Sequence, residues 1–175
     1  MQIREKDLPT RELLELVTAA VEAAGGHEGE GSRVVVNDRL DVAWAAAAHG
    51  VHLGTKSLPA RVVRGIVSRD FLVGVSCHSL QEALAAESSE ADYLVLGPIF
   101  ESPAKLVFGP PLGLEKLREV TSRVRIPVLA LGGITLERVS ACREAGATGI
   151  AGIRIFQECD SVQARVGELL AHFPA

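Results

Sequence analysis

Seven short apolar runs, separated by amphipathic stretches and returning about every 25 residues, leave this chain very few folds to adopt. The runs are MQIR at the start, RVVVN at 33–37, GVHLG at 50–54, FLVGVS at 71–76, DYLVLG at 92–97, IPVLALG at 126–132 and TGIAGIRIF at 148–156. Their length, β-branched content and bounding Gly, Pro and Asp residues predict buried parallel strands. Between them lie helical patterns: TRELLELVTAAVEAA, RLDVAWAAAAH, PARVVRGIV, SLQEALAAESS, LGLEKLREVTSRV, TLERVSACREAG and DSVQARVGELLAHF. Thr10, Ser79, Thr135 and Asp160 are the expected N-caps, Gly25 and Gly146 the expected stops, and Trp44 is expected in the core against the sheet.

Strand and helix alternating in this rhythm predict an α/β chain of the TIM (β/α)8 type, one domain over residues 1–175 with seven βα units. A doubly wound open sheet is the competing arrangement, but no Gly-rich dinucleotide turn opens the first helix. The composition, 47% hydrophobic and only 4% aromatic, matches small aliphatic packing between sheet and helices.

A net charge of -4 without blocks of like charge argues against a nucleic-acid surface and leaves room for a local cationic pocket holding a small anion. Cys77, Cys142 and Cys159 are odd in number and lack CxxC spacing, and no signal peptide is evident, so a reduced cytoplasm is the expected compartment. No apolar run approaches the roughly 18 residues a membrane span requires.

In this fold class the polar residues at the carboxyl ends of the strands are the functional candidates. In an extended first strand Gln2, Arg4 and Lys6 would form one polar row, costly unless it faces an anion. Asn37 and Asp38 follow the second strand, Ser57 lies beyond the third, Ser76 ends the fourth and Lys105 lies beyond the fifth; Gly132 and Gly133 follow the sixth, and Arg154 stands on the last. Cations, one carboxylate and a glycine pair offering backbone N–H groups suit a phosphate or pyrophosphate ester with a divalent metal. Each residue alone has a plainer reading: Arg4 can pair with Glu5, Asp38 can cap the next helix, and Lys105 can be a solvated lysine on the long loop of LGPIFESPAKLVFGPPLGL. His52 and His78 lack metal-ligand spacing and are expected to satisfy backbone groups.

At QIREK, VNDRLDVA, GVHLG, GVSCHS, DYLVLGPIF, PAK, GPPLGL and IPVLALGGIT the chain resembles the thiamin phosphate synthase/TenI superfamily, in the family's order and over nearly its whole length. The resemblance implies a TIM barrel that condenses hydroxymethylpyrimidine pyrophosphate with thiazole phosphate, releasing pyrophosphate and giving thiamin phosphate, with Mg²⁺ as cofactor. It implies that Gln2, Arg4, Lys6, Asn37 and Lys105 hold the pyrophosphate ester, with Arg4, Lys6 and Lys105 acting on the leaving group. Ser76 would touch the pyrimidine, Asp38 would bind the metal, and Ser57 would stand at the second metal-ligand position. Ser102, Ala104, Gly133, Ile153 and Arg154 would line the thiazole phosphate site.

The chain departs from that pattern at several places. Ser57 stands where a second metal-binding aspartate is expected, which weakens a hard-cation site. Loop threonines become Ser102 and Ala104, and a serine becomes Arg154, which can grip a phosphate bidentately instead. Family members carry a strand and a helix before the QxRxK motif, so a missing first unit is expected here. The open strand edges that would result invite self-association into a homo-oligomer. The rival functions are a TenI-like thiazole tautomerase and a non-catalytic relative that holds thiazole phosphate or thiamin phosphate.

Overall fold

In the computed structural model, which describes residues 1–25, 32–101 and 110–173, each expected strand and helix has a counterpart. Contacts gather into two compact units, Met1–Ser76 with Ser88–Asp92, and Cys77–Glu87 with Tyr93–Ala175. The first unit holds β1 (Gln2–Ile3), α1 (Thr10–Ala23), β2 (Val35–Asn37), α2 (Leu40–Ala45), β3 (Gly50–Leu53), α3 (Ala60–Arg64) and nearly all of β4 (Leu72–Cys77). Its strands are parallel and lie in chain order, with Val36 opposite Val51 and Val51 opposite Val73.

The second unit holds most of α4 (Leu80–Ser88), then β5 (Tyr93–Leu96), α5 (Gly113–Thr121), β6 (Val128–Leu131), α6 (Leu136–Glu144), β7 (Gly149–Ala151), α7 (Arg154–Gln157) and α8 (Val162–His172). Leu94 pairs in parallel with Val128, and Leu129 with Gly149. Neither unit contains the reversal of strand order that a doubly wound sheet requires. Seven parallel strands among the described residues, each leading into a helix, make this the TIM-type α/β class expected from the sequence.

Periodicity explains which faces are buried. Leu13, Val17 and Val21, four apart on α1, lie in one apolar cluster with Ile3, Val34, Val36 and Val42. In the second unit Val139 of α6, Ile155 of α7 and Leu169 of α8 form another, flanked by Ile134 and Ile150. Gly25 and Gly146 close α1 and α6 at φ 85° and 89°, as expected of C-terminal glycines. Ser79 caps α4, accepting from the Glu82 amide at 3.2 Å. No helix among the described residues is long and apolar enough to cross a membrane.

Five expectations are corrected. Trp44 is 64% exposed, because α2 is only six residues long and its inner face is filled by Val42 and Ala43. Strand β1 ends at Ile3, so Arg4 lies beyond it and Lys6 falls in a bend; the polar row does not continue as strand. Arg154 is not on a strand: β7 stops at Ala151, and Arg154 opens α7. At the caps, Pro9 precedes α1, with Thr10 its first residue, and Ser161 rather than Asp160 caps α8, accepting from the Ala164 amide at 3.2 Å.

Candidate functional site

In the first unit, polar side chains collect at the carboxyl ends of adjacent strands. Gln2 donates from Nε2 to Asn37 Oδ1 at 3.0 Å, linking β1 to β2. Arg4 and Lys6 are exposed, and neither has an ion-pair partner among the described residues. Pairing of Arg4 with Glu5 is therefore not observed.

Asp38 turns the chain out of β2 in the left-handed region, at φ 66°. That conformation strains most side chains, though Asp tolerates it, and such residues cluster at functional sites. The Asp38 amide donates to the His52 carbonyl at 2.9 Å, and its carbonyl accepts from the Leu40 amide at 3.1 Å. Its carboxylate is exposed and does not cap α2, whose N-cap is Arg39 and has no side-chain cap. Arg39 in turn is held bidentately by Asp41, at 2.8 and 2.7 Å, and donates to Thr10 Oγ1 at 3.1 Å.

His52 of β3 lies 2.8 Å through Nε2 from Ser76 Oγ on β4. Burial pushes the imidazole pKa down to about 4, so near neutral pH it is uncharged and serves to orient the hydroxyl. His49 Nδ1 accepts from the Val34 amide at 3.1 Å, and His78 Nδ1 lies 2.5 Å from the Gly97 carbonyl. His78 thus meets a backbone group as expected, whereas His52 meets the Ser76 side chain.

For a metal, the described residues contain no group of three or more His, Cys, Asp or Glu side chains able to hold an ion. Asp38 offers one exposed carboxylate, and Ser57 Oγ already accepts from the Gly54 amide at 2.8 Å. Mg²⁺ usually takes one or two carboxylates and completes its shell with water and substrate phosphates. This donor set fits an ion that arrives with an anionic substrate and does not fit a preformed cage.

In the second unit, an open pocket of about 430 Å³ lies beside the exit of β6 and the starts of α6 and α7. Gly133, Ile134 and Thr135 form one wall, Arg138, Arg154 and Arg165 supply three guanidinium groups, and Glu101, Glu137 and Glu158 complete the charged rim. Hydrogen bonding by Thr135 holds the Glu137 carboxyl below its ordinary pKa.

The glycine pair is sterically required. Gly132 and Gly133 have φ of 100° and 62°, and a Cβ on Gly133 would lie 2.4 Å from the Glu101 carbonyl oxygen and 2.8 Å from Phe100 Cβ. The amides of Gly133 and Ile134 have no acceptor among the described residues, and backbone N–H groups of such a turn are of the kind that bind anions. Arg154 likewise has no ion-pair partner among the described residues.

Of the expected thiazole phosphate residues, Gly133 and Arg154 share this pocket. Ile153 is 65% exposed and does not line it, although its neighbour Ile155 does. Ser102, Ala104 and Lys105 lie outside the described residues. Arg138 and Arg165 were not anticipated. Arg138 has a sequence signal, standing three residues after the Thr135 N-cap and five after Gly133.

The family model described as thiamine monophosphate synthase matches residues 1–156. A putative thiamine-phosphate synthase of Geobacter sulfurreducens is 41% identical over 174 residues, covering 99% of this chain and 80% of that protein. The thiamine-phosphate synthase of Moorella thermoacetica is 42% identical over 153 residues, covering 87% of this chain and 71% of that one. Among solved structures, thiamine phosphate pyrophosphorylase from Pyrococcus furiosus superposes with a TM-score of 0.82 at 34% identity, over 98% of this chain and 81% of that one.

Proposed function

The chain belongs to the thiamine monophosphate synthase family, and from that membership we propose that it condenses hydroxymethylpyrimidine pyrophosphate with thiazole phosphate to give thiamin phosphate and pyrophosphate. The observation that carries this reading is the strand-end array of the first unit. There Gln2 is bonded to Asn37, Asp38 is fixed in a left-handed turn, and Arg4 and Lys6 lie nearby in the chain without ion-pair partners among the described residues.

Gln2 and Asn37 orient the pyrophosphate ester through their amide groups, and Arg4 and Lys6 face its charge. Lys105 joins them on the strength of its place in the PAK motif. As the methylene C–O bond of the pyrimidine breaks, its electron pair leaves with pyrophosphate, and these cations stabilise the charge that accumulates there. The thiazole nitrogen then gives its lone pair to the methylene carbon, forming the C–N bond, so the step needs positioning and electrostatics more than a general base.

Ser76, oriented by neutral His52, contacts the pyrimidine. Asp38 is the carboxylate that would hold Mg²⁺, and Ser57 stands at the sequence position where the family pattern has a second acidic ligand. When bound, the ion would neutralise part of the pyrophosphate charge. In the second unit, Gly133 and Arg154 take the thiazole phosphate through backbone N–H groups and a guanidinium fork.

Arg4→Ala is expected to weaken binding of the pyrimidine pyrophosphate ester by about 2–4 kcal/mol, the worth of a charge-assisted contact to an anion. Isothermal titration with that ester in the presence of Mg²⁺ reads this directly. An unchanged affinity would remove Arg4 from the site.

A further inference from the structure

Arg138 is the one pocket cation whose guanidinium is tied to the glycine turn. Its Nη1 donates to the Gly133 carbonyl at 2.7 Å, and its guanidinium carbon lies 4.7 Å from the centre of the Phe100 ring. One side chain on the first turn of α6 thus joins the exit of β6 to the segment that follows β5. The backbone there has little slack, since Gly133 packs so closely on Phe100 and Glu101 that a Cβ would overlap both.

A carbonyl and the next amide share one rigid plane and point in opposite directions. Holding the Gly133 carbonyl therefore also fixes the direction of the Ile134 N–H, and both residues line the pocket. The planar guanidinium suits this task, because it can stack on a ring through its face while donating through its edge, which an ammonium cannot do.

We propose that Arg138 is a positioning residue for recognition of the phosphate monoester: it sets the Gly133–Ile134 peptide against which the phosphate is held, and Phe100 holds Arg138 in place. This rests on the reading that Gly133 contacts thiazole phosphate, and it goes beyond that reading by assigning Arg138 and Phe100, neither of which binds the substrate.

The test compares Arg138→Ala, Arg138→Lys and Phe100→Leu with the parent protein in steady-state synthesis of thiamin phosphate, alongside calorimetric titration with thiazole phosphate, which needs no turnover. Arg138→Ala should raise KM for thiazole phosphate about tenfold, the loss of one charged hydrogen bond's orientation, while kcat and KM for the pyrimidine ester stay within about twofold. Arg138→Lys, which keeps charge and a donor but not the fork, should recover only part of the loss. Phe100→Leu leaves every charge in place and should still raise the same KM severalfold. Combined with Arg138→Ala it should add little, because the two residues act through one contact.

If Arg138 bound the phosphate directly, Phe100→Leu would leave KM unchanged and Arg138→Lys would restore it fully; either result overturns the proposal. So would an unchanged KM in Arg138→Ala. If the parent protein neither turns over nor binds thiazole phosphate, the functional reading fails first and the positioning role falls with it. Parent turnover with unaltered variants refutes the positioning role alone.

Discussion

Gly133→Ala lowers kcat/KM for thiazole phosphate by roughly a hundredfold or more, about 3 kcal/mol of lost recognition. The expectation follows from two features acting together. At φ 62° an L side chain is strained, and a Cβ placed there would lie 2.4 Å from the Glu101 carbonyl oxygen, a backbone atom that cannot swing aside as a flexible side chain would. The turn must shift, and with it the amides offered to the phosphate.

Gly113→Ala separates strain from site geometry. Gly113 also has positive φ, 75°, but a Cβ there meets nothing within 4 Å. That variant should lose only about 1 kcal/mol of stability and keep its KM. Steady-state kinetics on both variants checks the pair; a Gly133→Ala protein with an unchanged KM for thiazole phosphate would mean that the turn does not touch that substrate.

The second large effect concerns stability. Arg64, on α3, is 9% exposed and donates to the carbonyls of Glu90, Ser68 and Phe71 at 3.2, 3.1 and 3.0 Å and to the Asp92 carboxylate. Asp92 Oδ2 also accepts from the Val73 amide at 2.6 Å. The pair therefore ties α3, the segment after it, β4 and the residue before β5.

Arg64→Ala removes one donor from each of three carbonyls and the charged partner of a partly buried carboxylate at once. Leaving one member of such a pair without its partner costs about 3–5 kcal/mol. In a chain of this length each kcal/mol lowers Tm by about 2–4 °C, so a fall of roughly 10 °C is expected. Urea unfolding followed by circular dichroism measures it. A loss below about 1 kcal/mol would mean that water replaces Arg64 at little cost.

How much of this was legible in the sequence depended on the kind of signal. Apolar runs bounded by Gly, Pro and Asp located the strands because parallel strands in this fold class are buried on both faces, and the glycine stops of α1 and α6 were readable because only glycine takes those angles cheaply. Trp44 misled because a run of alanines does not say which face of a short helix turns inward. The alternation in GIRIF read as strand, yet the chain leaves β7 at Ala151 and Arg154 begins a helix.

The placing of Gln2, Asn37, Asp38 and Ser76 at or near strand ends could be read in advance because the apolar runs mark where β1, β2 and β4 end. Arg64 and Arg138 are harder to read, because an arginine within a helical pattern ordinarily reads as a solvated side chain, and the spacing of Arg138 from Gly133 is only a weak signal. Their roles come from what they touch across the fold, a carboxylate before β5 in one case and a glycine carbonyl in the other. Asp92, an acidic residue opening an apolar strand with no helix to cap, was the one sequence hint that a buried cation needed a partner.

The measurement that tests the account most directly is formation of thiamin phosphate by the purified chain from hydroxymethylpyrimidine pyrophosphate and thiazole phosphate with Mg²⁺, read as thiochrome fluorescence after oxidation, with pyrophosphate release followed in parallel. The account predicts product and pyrophosphate in equal amounts, dependent on both substrates and sharply reduced in Arg4→Ala. Thiazole phosphate binding without any thiamin phosphate, at saturating concentrations of both substrates and the metal, would contradict it.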